Sequence, residues 1–155
     1  MKMIRTTITP TPVLFAALGP VMLKLAGERA AGTILWLADE RAIGSHIVPQ
    51  ITKAAKDAGR AAPRIMAGVP VCLCSEDQVD AAVERTNKTL SEVVTSPNYV
   101  RLMEHGDART IGDVLICGTE AAMEKRLRSF ADTGVNHCRM HGHGYPSAQY
   151  PYGGD

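Results

Sequence analysis

Two patterns of hydrophobic and polar positions alternate along the first half of the chain. Continuous apolar runs at residues 13–18, 33–38 and 64–74 are typical of strands that helices cover on both faces of a parallel sheet. Between the runs, apolar residues recur at helical spacing, which predicts a helix that begins at Pro20 and another over residues 43–59. Strands that alternate with helices in this way predict an α/β fold with a parallel sheet.

The second half continues the alternation with weaker strand signals. Ser75 and Gln78 fit a capping box, which predicts a long helix directly after them. Residues 113–117 form a brief extended run, and Thr119 has the residue type of an N-cap for a helix that stops at Gly134. We therefore expect a fourth, short strand in this part of the chain.

Residues 136–155 (NHCRMHGHGYPSAQYPYGGD) are rich in Gly, Tyr, Pro and His and show neither the helical nor the strand periodicity of hydrophobic positions. We predict no strand there and assign the whole segment to a flexible tail. The sequence then divides into an N-terminal extension over residues 1–12, one folded domain over residues 13–135 and the tail.

The turn between the first apolar run and the first helix carries the strongest functional signal. In the stretch FAALGPVMLKLAGERAAGTILWLA, Gly19 follows the strand and Pro20 suits the first helical position. Backbone N–H groups at the start of such a helix attract phosphate, and a glycine beside them lets the ligand approach. On the helix itself, Met22, Leu25, Ala26 and Arg29 fall on one side, whose apolar residues we expect to face the core.

Composition narrows the classes of partner and compartment. The chain has 155 residues, 45% of them hydrophobic and 21% charged, which is typical of one globular domain. Lys and Arg total 17 against 16 for Asp and Glu, so no global field favours nucleic acid or an anionic membrane. Without a signal-peptide core or an apolar run of about 18 residues, we expect a cytoplasmic protein with no membrane segment.

The remaining candidate residues give no catalytic or metal site. Trp36 and Leu37 are candidates for lining a barrel mouth, although a lone Trp in an apolar strand is more often a core residue. Lys24 is within reach of an anionic cofactor tail, but we interpret it and Arg41 as surface charges, and His46 has only Gln50 at helical spacing. The cysteines lie mostly in apolar runs, where we expect buried thiols rather than disulfides. The tail contains potential ligands without a scaffold, so we expect no metal site there; they are His137, Cys138, His141 and His143.

Three segments together resemble the C-terminal half of the luciferase-like monooxygenase superfamily. They are the ALGP segment, the LAGERAAGTILW segment and the GTEAAMEKRLRSFADTGV segment. Within that superfamily the chain is most similar to the deazaflavin branch, whose oxidoreductases use coenzyme F420. FMN, the cofactor of other branches, is the alternative. The resemblance implies half of a (β/α)8 TIM barrel, with parallel strands alternating with helices, over residues 13–135.

The resemblance also implies where a coenzyme binds. In such proteins the coenzyme lies across the C-terminal ends of the strands, and the first strand-to-helix turn of this half approaches its phosphate end. The expected cofactor-binding residues are therefore Ala17, Leu18, Gly19, Pro20, Val21 and Met22. The implied activity is hydride transfer between the deazaflavin and a small organic substrate, whose catalytic groups this half does not identify.

The sequence departs from the family at both ends. The N-terminal half of the barrel is missing, and the segment after Val135 does not resemble the family's last strand, as a truncated or frame-shifted reading frame would produce. Half a barrel exposes two strand edges, so we expect a homo-oligomer. Two other interpretations stay open: a non-catalytic remnant that oligomerises through those edges, and a small phosphate-binding module unrelated to redox chemistry.

Overall fold

Five parallel strands and the helices between them make up residues 11–142, the part of the chain that the computed structural model describes. The strands are β1 (Leu14–Ala16), β2 (Gly32–Trp36), β3 (Arg64–Leu73), β4 (Ile116–Gly118) and β5 (His137–Gly142). The helices are α1 (Pro20–Arg29), α2 (Glu40–Ala42), α3 (Val48–Asp57), α4 (Val79–Thr89), α5 (Pro97–Glu104) and α6 (Glu120–Ala131). The predicted α/β class with a parallel sheet is confirmed.

The long strand β3 organises the sheet. β2 pairs with it over Arg64–Gly68, and β5 pairs with it over Met66–Val71, so residues shared by both ladders place β2 and β5 on opposite edges of β3. β4 pairs with Val71–Leu73. Val71 pairs with both β4 and β5, so these two strands lie on opposite edges of β3. β4 therefore lies on the same edge as β2, beyond the end of β2. The main strand order is therefore β1, β2, β3, β5.

Helix α1 begins as predicted but buries a different face. Gly19 is its N-cap and Pro20 its first residue. The buried positions are Leu23, Ala26 and Gly27, whereas Met22 and Leu25 are exposed, so the predicted inward face is wrong for these two residues. The reason is close helix packing: a Cβ on Gly27 would lie 2.6 Å from a backbone oxygen of α3. Gly27 therefore faces α3, and Met22 and Leu25 turn away from the buried face.

The predicted helix over residues 43–59 consists of two parts, and the short helix α2 precedes it. Asp39 caps α2, and a π-helical turn at Ile43–Ile47 leads into α3. The wide turn ends with the Val48 N–H donating to the Ile43 carbonyl, five residues back. Val48 lies directly before Pro49, which has no N–H to donate. The wide turn therefore lets the chain continue as a helix through the proline.

The tail begins later than predicted. Residues 137–142, expected to be flexible, form β5 and pair with β3 in parallel register. Asn136 starts the ladder, because its N–H donates to the Ile65 carbonyl and its side-chain oxygen accepts from the Ile65 N–H. The side chains of β5 are mostly exposed, so the strand depends on backbone pairing and leaves no alternating apolar pattern in the sequence. The rest of the predicted tail lies outside the described residues.

The main core lies between the sheet and the helices α1, α3 and α6. Its largest fully buried members include Leu23, Leu35, Ile47, Ile51 and Phe130. This layer fixes the direction of each strand, and with it the position of the turns that follow the strand ends. Among residues 11–142, no helix combines the length and apolarity needed to cross a bilayer.

Candidate functional site

A cavity of about 660 Å³ opens where β1, β2 and β5 end. Ala16, Trp36 and His141, at or near the last residues of these strands, line it together with residues of α5. In parallel α/β folds, ligands bind at the carboxyl ends of the strands, because the loops and helix N-termini gather there. The position of the cavity makes it the candidate site.

All six residues predicted from the strand-to-helix turn line this cavity; they are Ala17, Leu18, Gly19, Pro20, Val21 and Met22. The first hydrogen bond of α1 runs from the Leu23 N–H to the Gly19 carbonyl, at 2.9 Å. The N–H groups of Val21 and Met22 precede it and have no acceptor within the helix. Val21 is 78% exposed, so this turn faces open space rather than packed side chains.

Gly19 leaves room for a ligand without being required by the backbone. Its φ of −88° and ψ of 158° are accessible to any residue. A Cβ at this position would meet only Asn98 Oδ1, at 3.9 Å. The missing side chain therefore matters for what approaches the turn rather than for folding.

The polar groups of the cavity are basic or neutral. Arg101 of α5 and Arg139 of β5 line it, and none of the lining residues within positions 11–142 is acidic. The Arg101 guanidinium donates to the Pro97 carbonyl at 3.1 Å and to Asn98 Oδ1 at 3.0 Å. Within residues 11–142, neither arginine has a carboxylate partner. The cavity thus suits an anionic ligand, held by local charge in a protein of near-zero net charge.

An aromatic pair forms the opposite wall. The rings of Trp36 and His141 meet edge to face, with centroids 4.7 Å apart. Trp36 was expected in the core, but it is half-buried and lines the cavity. The next residue, Leu37, is buried and has a φ of 56°, a left-handed conformation that costs a leucine about 1–2 kcal/mol. This strained link redirects the chain directly after the indole.

Helix α5 supplies cavity residues that sequence reasoning missed. Asn98, Tyr99 and Arg101 lie on it, and burial raises the pKa of the Tyr99 phenol. Asn98 and Arg101 are three positions apart at the start of the helix, a spacing that puts both side chains on one face. That spacing was the available signal, but only the tertiary structure brings α5 beside α1.

Two histidines lie behind the same turn. His46 of the π-helical turn stacks on His105, with ring centroids 3.7 Å apart and an interplanar angle of 14°. Both line a smaller cavity of about 150 Å³ that also contacts Gly19 and Pro20. Burial lowers the pKa of His46, and the neighbouring His105 lowers it further. The Gln50 amide nitrogen lies 3.0 Å from His46 Nδ1, so the one partner expected from the sequence is present.

The other sequence candidates lie outside the cavity. Lys24 pairs with Glu28 at 3.7 Å and Arg41 with Asp107 at 2.7 Å; Lys24, Arg41 and Asp107 are largely exposed and Glu28 is partly exposed. These are surface charges, as expected from the sequence.

The four cysteines are free thiols. Cys72 is buried and Cys74 and Cys117 are half-buried at the C-terminal end of β3 and β4, while Cys138 on β5 is exposed, contrary to the general expectation of buried thiols. Burial raises the pKa values of Cys72 and Cys117. Within residues 11–142, no group of three or more His, Cys, Asp or Glu side chains is arranged to bind a metal ion. His143 lies outside the described residues.

Comparison with known proteins gives relatives that use coenzyme F420. The chain is 33% identical over 95 residues to the 5,10-methylenetetrahydromethanopterin reductase of Methanopyrus kandleri, an alignment covering 61% of this chain and 27% of that protein. In structure it resembles an F420-dependent secondary alcohol dehydrogenase solved with an F420-acetone adduct, at a TM-score of 0.69 and 20% identity. That match covers 86% of this chain and 44% of the dehydrogenase.

Two further solved structures share the fold. The coenzyme F420-dependent tetrahydromethanopterin reductase of Methanopyrus kandleri matches at a TM-score of 0.58 and 22% identity, over 84% of this chain and 44% of that one. The EDTA monooxygenase of Chelativorans sp. BNC1 matches at 0.63 and 16% identity, over 90% and 41%. The chain therefore spans less than half the length of the proteins it matches.

The sequence model for luciferase-like monooxygenases matches residues 2–137, which is most of the chain. The fold agrees, since a parallel sheet alternating with helices corresponds to part of the TIM-barrel-like F420 enzymes. The chain belongs to the luciferase-like monooxygenase family.

Proposed function

We propose that this chain holds the phosphate-bearing end of coenzyme F420 in an oxidoreductase that transfers a hydride between the deazaflavin and a small organic substrate. The observation that carries the proposal is the cavity at the strand ends, which combines the Gly19 turn with Arg101 and Arg139 and has no acidic residue among the described residues that line it. The F420-dependent relatives support the choice of coenzyme.

The residues present fit such a coenzyme in charge and in shape. A phosphate needs N–H donors and positive charge, and the first turn of α1 and the Arg101 guanidinium supply both on one side of the cavity. A planar ring needs an apolar wall, which Trp36 and Ile34 offer on the strand side. The missing Cβ at Gly19 leaves the amides open to an approaching anion.

When bound, a deazaflavin supplies two-electron hydride chemistry at a ring carbon. The residues of this chain would orient it. The amides of Val21 and Met22 would fix the phosphate end, and the Trp36 and His141 pair would hold the ring side and exclude water from it. Arg139, beside His141 on the cavity wall, is available to balance negative charge near the ring. No residue of this chain is assigned as a proton donor or acceptor.

The experiment compares two ligands and matched glycine variants. Titration of the chain with coenzyme F420 and with its bare deazaflavin chromophore should give at least about tenfold tighter binding for the phosphorylated form, since about 1.4 kcal/mol corresponds to that ratio. Gly19→Val, allowed by the backbone at this position, should remove most of this preference. Gly44→Ala is the control, because its Cβ would meet only Thr133, at 3.7 Å or more.

A second variant tests the charge. Arg101→Met keeps an unbranched apolar stem but removes the guanidinium, so affinity for the phosphorylated coenzyme should fall about tenfold or more, while affinity for the bare chromophore should not change. Equal affinity of the unaltered chain for both ligands would refute the phosphate role.

The structural likeness to EDTA monooxygenase favours a second candidate, an FMN-dependent monooxygenase relative. FMN also ends in a phosphate, so the same turn would serve it. Competition between FMN and coenzyme F420 for the chain distinguishes the two: tighter binding of FMN would replace the deazaflavin assignment while retaining the anion site.

A further inference from the structure

The sheet ends in two strands that each pair on one side only. Within residues 11–142, β1 pairs with β2 and β5 pairs with β3, and neither has a strand on its outer edge. An unpaired edge exposes a row of N–H and C=O groups that can accept another strand. Both edges belong to one parallel sheet, so any strand that extends it in the same sense must also run parallel.

Large apolar side chains are exposed along the same two edges. Val13, directly before β1, is 56% exposed, and Met140 of β5 is 57% exposed. Both positions lie on the helix-facing side of the sheet. Met140 is paired with the fully buried Val69. Val13 is on the same face of the strand as Phe15, opposite the cavity residue Ala16. In a single copy the described residues leave more than half of each of these residues exposed.

We propose that a second copy of this chain closes the sheet, with β1 of each copy pairing in parallel with β5 of the other. The laterally paired strands β1, β2, β3 and β5 contribute four strands per copy, and two copies give the eight strands of a closed barrel. A two-fold axis along the barrel keeps all strands parallel and satisfies both edges at once, as an isologous contact requires. The inference does not depend on which coenzyme the cavity binds.

The observed registers determine which residues meet. Ala16 is level with Ile34, Ile34 with Met66, and Met66 with His137. An eight-stranded barrel of this type is staggered by about eight residues around its circumference, so each of two identical halves accounts for about four. His137 then lies beside residue 12 of the second copy, since the opposite shift would bring it to residue 20, which is helical.

This register makes chemical sense along the whole edge. It places Cys138 beside Val13 and Met140 beside Phe15 of the second copy, so the exposed apolar groups cover one another. It also places His141 beside Ala16 of the second copy, and both residues line the cavity. Each cavity would thus gain its missing wall from the other copy, and the site is incomplete without it.

The occupant must offer two complementary edges at once, and a second copy of this chain does so. It needs a β5-like edge for β1 and a β1-like edge for β5, both parallel and at a barrel's width, and this chain carries that pair. A single added strand would satisfy one edge and leave the other open.

Light scattering coupled to size exclusion should give the mass of two chains for the unaltered protein, and a monomer or an open-ended series of larger species would overturn the proposal. Val13→Cys should then form a disulfide-linked dimer with the native Cys138 under mild copper-phenanthroline oxidation. The link should be absent in the Val13→Cys, Cys138→Ser double variant.

Val100→Cys, on α5 and 46% exposed, is the matched control and should not cross-link. Equal cross-linking of this control, or no link at Val13→Cys, would refute the register. Met140→Lys tests the edge in a different way. Its side chain is exposed in a single copy, so the fold should persist, while a charge buried between two edges should shift the protein to monomer.

Discussion

The Trp36 indole and the His141 imidazole meet edge to face across β3, at an interplanar angle of 81°. They come from strands on opposite edges of β3, and Gly68, which is level with Trp36, leaves room for the indole because it has no side chain. A Cβ on Gly68 would lie 2.8 Å from Trp36 Cε3 and 3.0 Å from the Leu35 carbonyl oxygen. One glycine on the central strand therefore shapes the cavity wall.

Trp36 is the protein's single tryptophan, so its fluorescence reports directly on the cavity. Binding of the coenzyme should quench or shift this emission, because the indole lines the cavity. His141→Ala removes the edge-to-face partner, a contact that contributes about 0.5–1.5 kcal/mol, and should alter the emission even without ligand. An emission unchanged by saturating ligand would separate Trp36 from the binding site.

Gly68→Ala should displace the indole and weaken coenzyme binding. The added methyl group has to push aside either the ring or the Leu35 backbone, and a strained fit of this kind costs about 1–3 kcal/mol of folding free energy. We expect lower stability in urea, altered tryptophan emission and weaker binding together. Gly44→Ala is again the control, with ordinary van der Waals contacts only.

The His46 and His105 stack should make stability fall on acidification. Burial lowers the folded-state pKa of His46, so the unfolded chain takes up a proton first as the pH falls below about 6.5. The contribution of neutral His46 to the free energy of unfolding is complete above that pH and is lost as the pH falls toward the lower folded-state pKa. Urea unfolding at several pH values should show this slope.

His46→Phe keeps a ring on His105 and removes the titrating group. Between the unfolded-state and folded-state pKa values of His46, the free energy of unfolding should therefore depend less on pH in this variant. If the variant and the unaltered chain lose stability in parallel from pH 7.5 to 5, His46 does not cause the effect.

Asp39 should be a major stabilising residue although it lies outside the cavity. Its carboxylate is buried and accepts from the N–H groups of Ala42, Asp107 and Ala108, at 2.8, 2.6 and 2.7 Å. Asp39→Ala removes a helix cap and leaves two further amides without their acceptor, so we expect a loss of about 2–4 kcal/mol in chemical denaturation.

Asp107→Ala provides the comparison for that variant. It removes only the exposed ion pair with Arg41, which should contribute less than about 1 kcal/mol. A loss for Asp107→Ala that matched the loss for Asp39→Ala would mean that the ion pair, rather than the buried carboxylate, stabilises this loop.

Local chemistry made several elements predictable. Pro20 at the first helical position, Ser75 with Gln78 in a capping box and Thr119 as an N-cap each act within one turn, so their effect is encoded in neighbouring residues. The Gly19 turn was found for the same reason. The face of α1 was not, because the contact at Gly27 that sets it involves α3, more than twenty residues further along the chain.

The sequence by itself determined the alternation of strands and helices, the family and the turn that borders the cavity, because each depends on short-range patterns of burial and capping. Only the tertiary structure decided that β5 exists, that α5 brings Arg101 beside α1, and that Trp36 reaches His141 over Gly68. These relationships join residues far apart in the chain. Their energies come from backbone pairing and from side chains that meet in space, and neither leaves a periodic signal in the sequence.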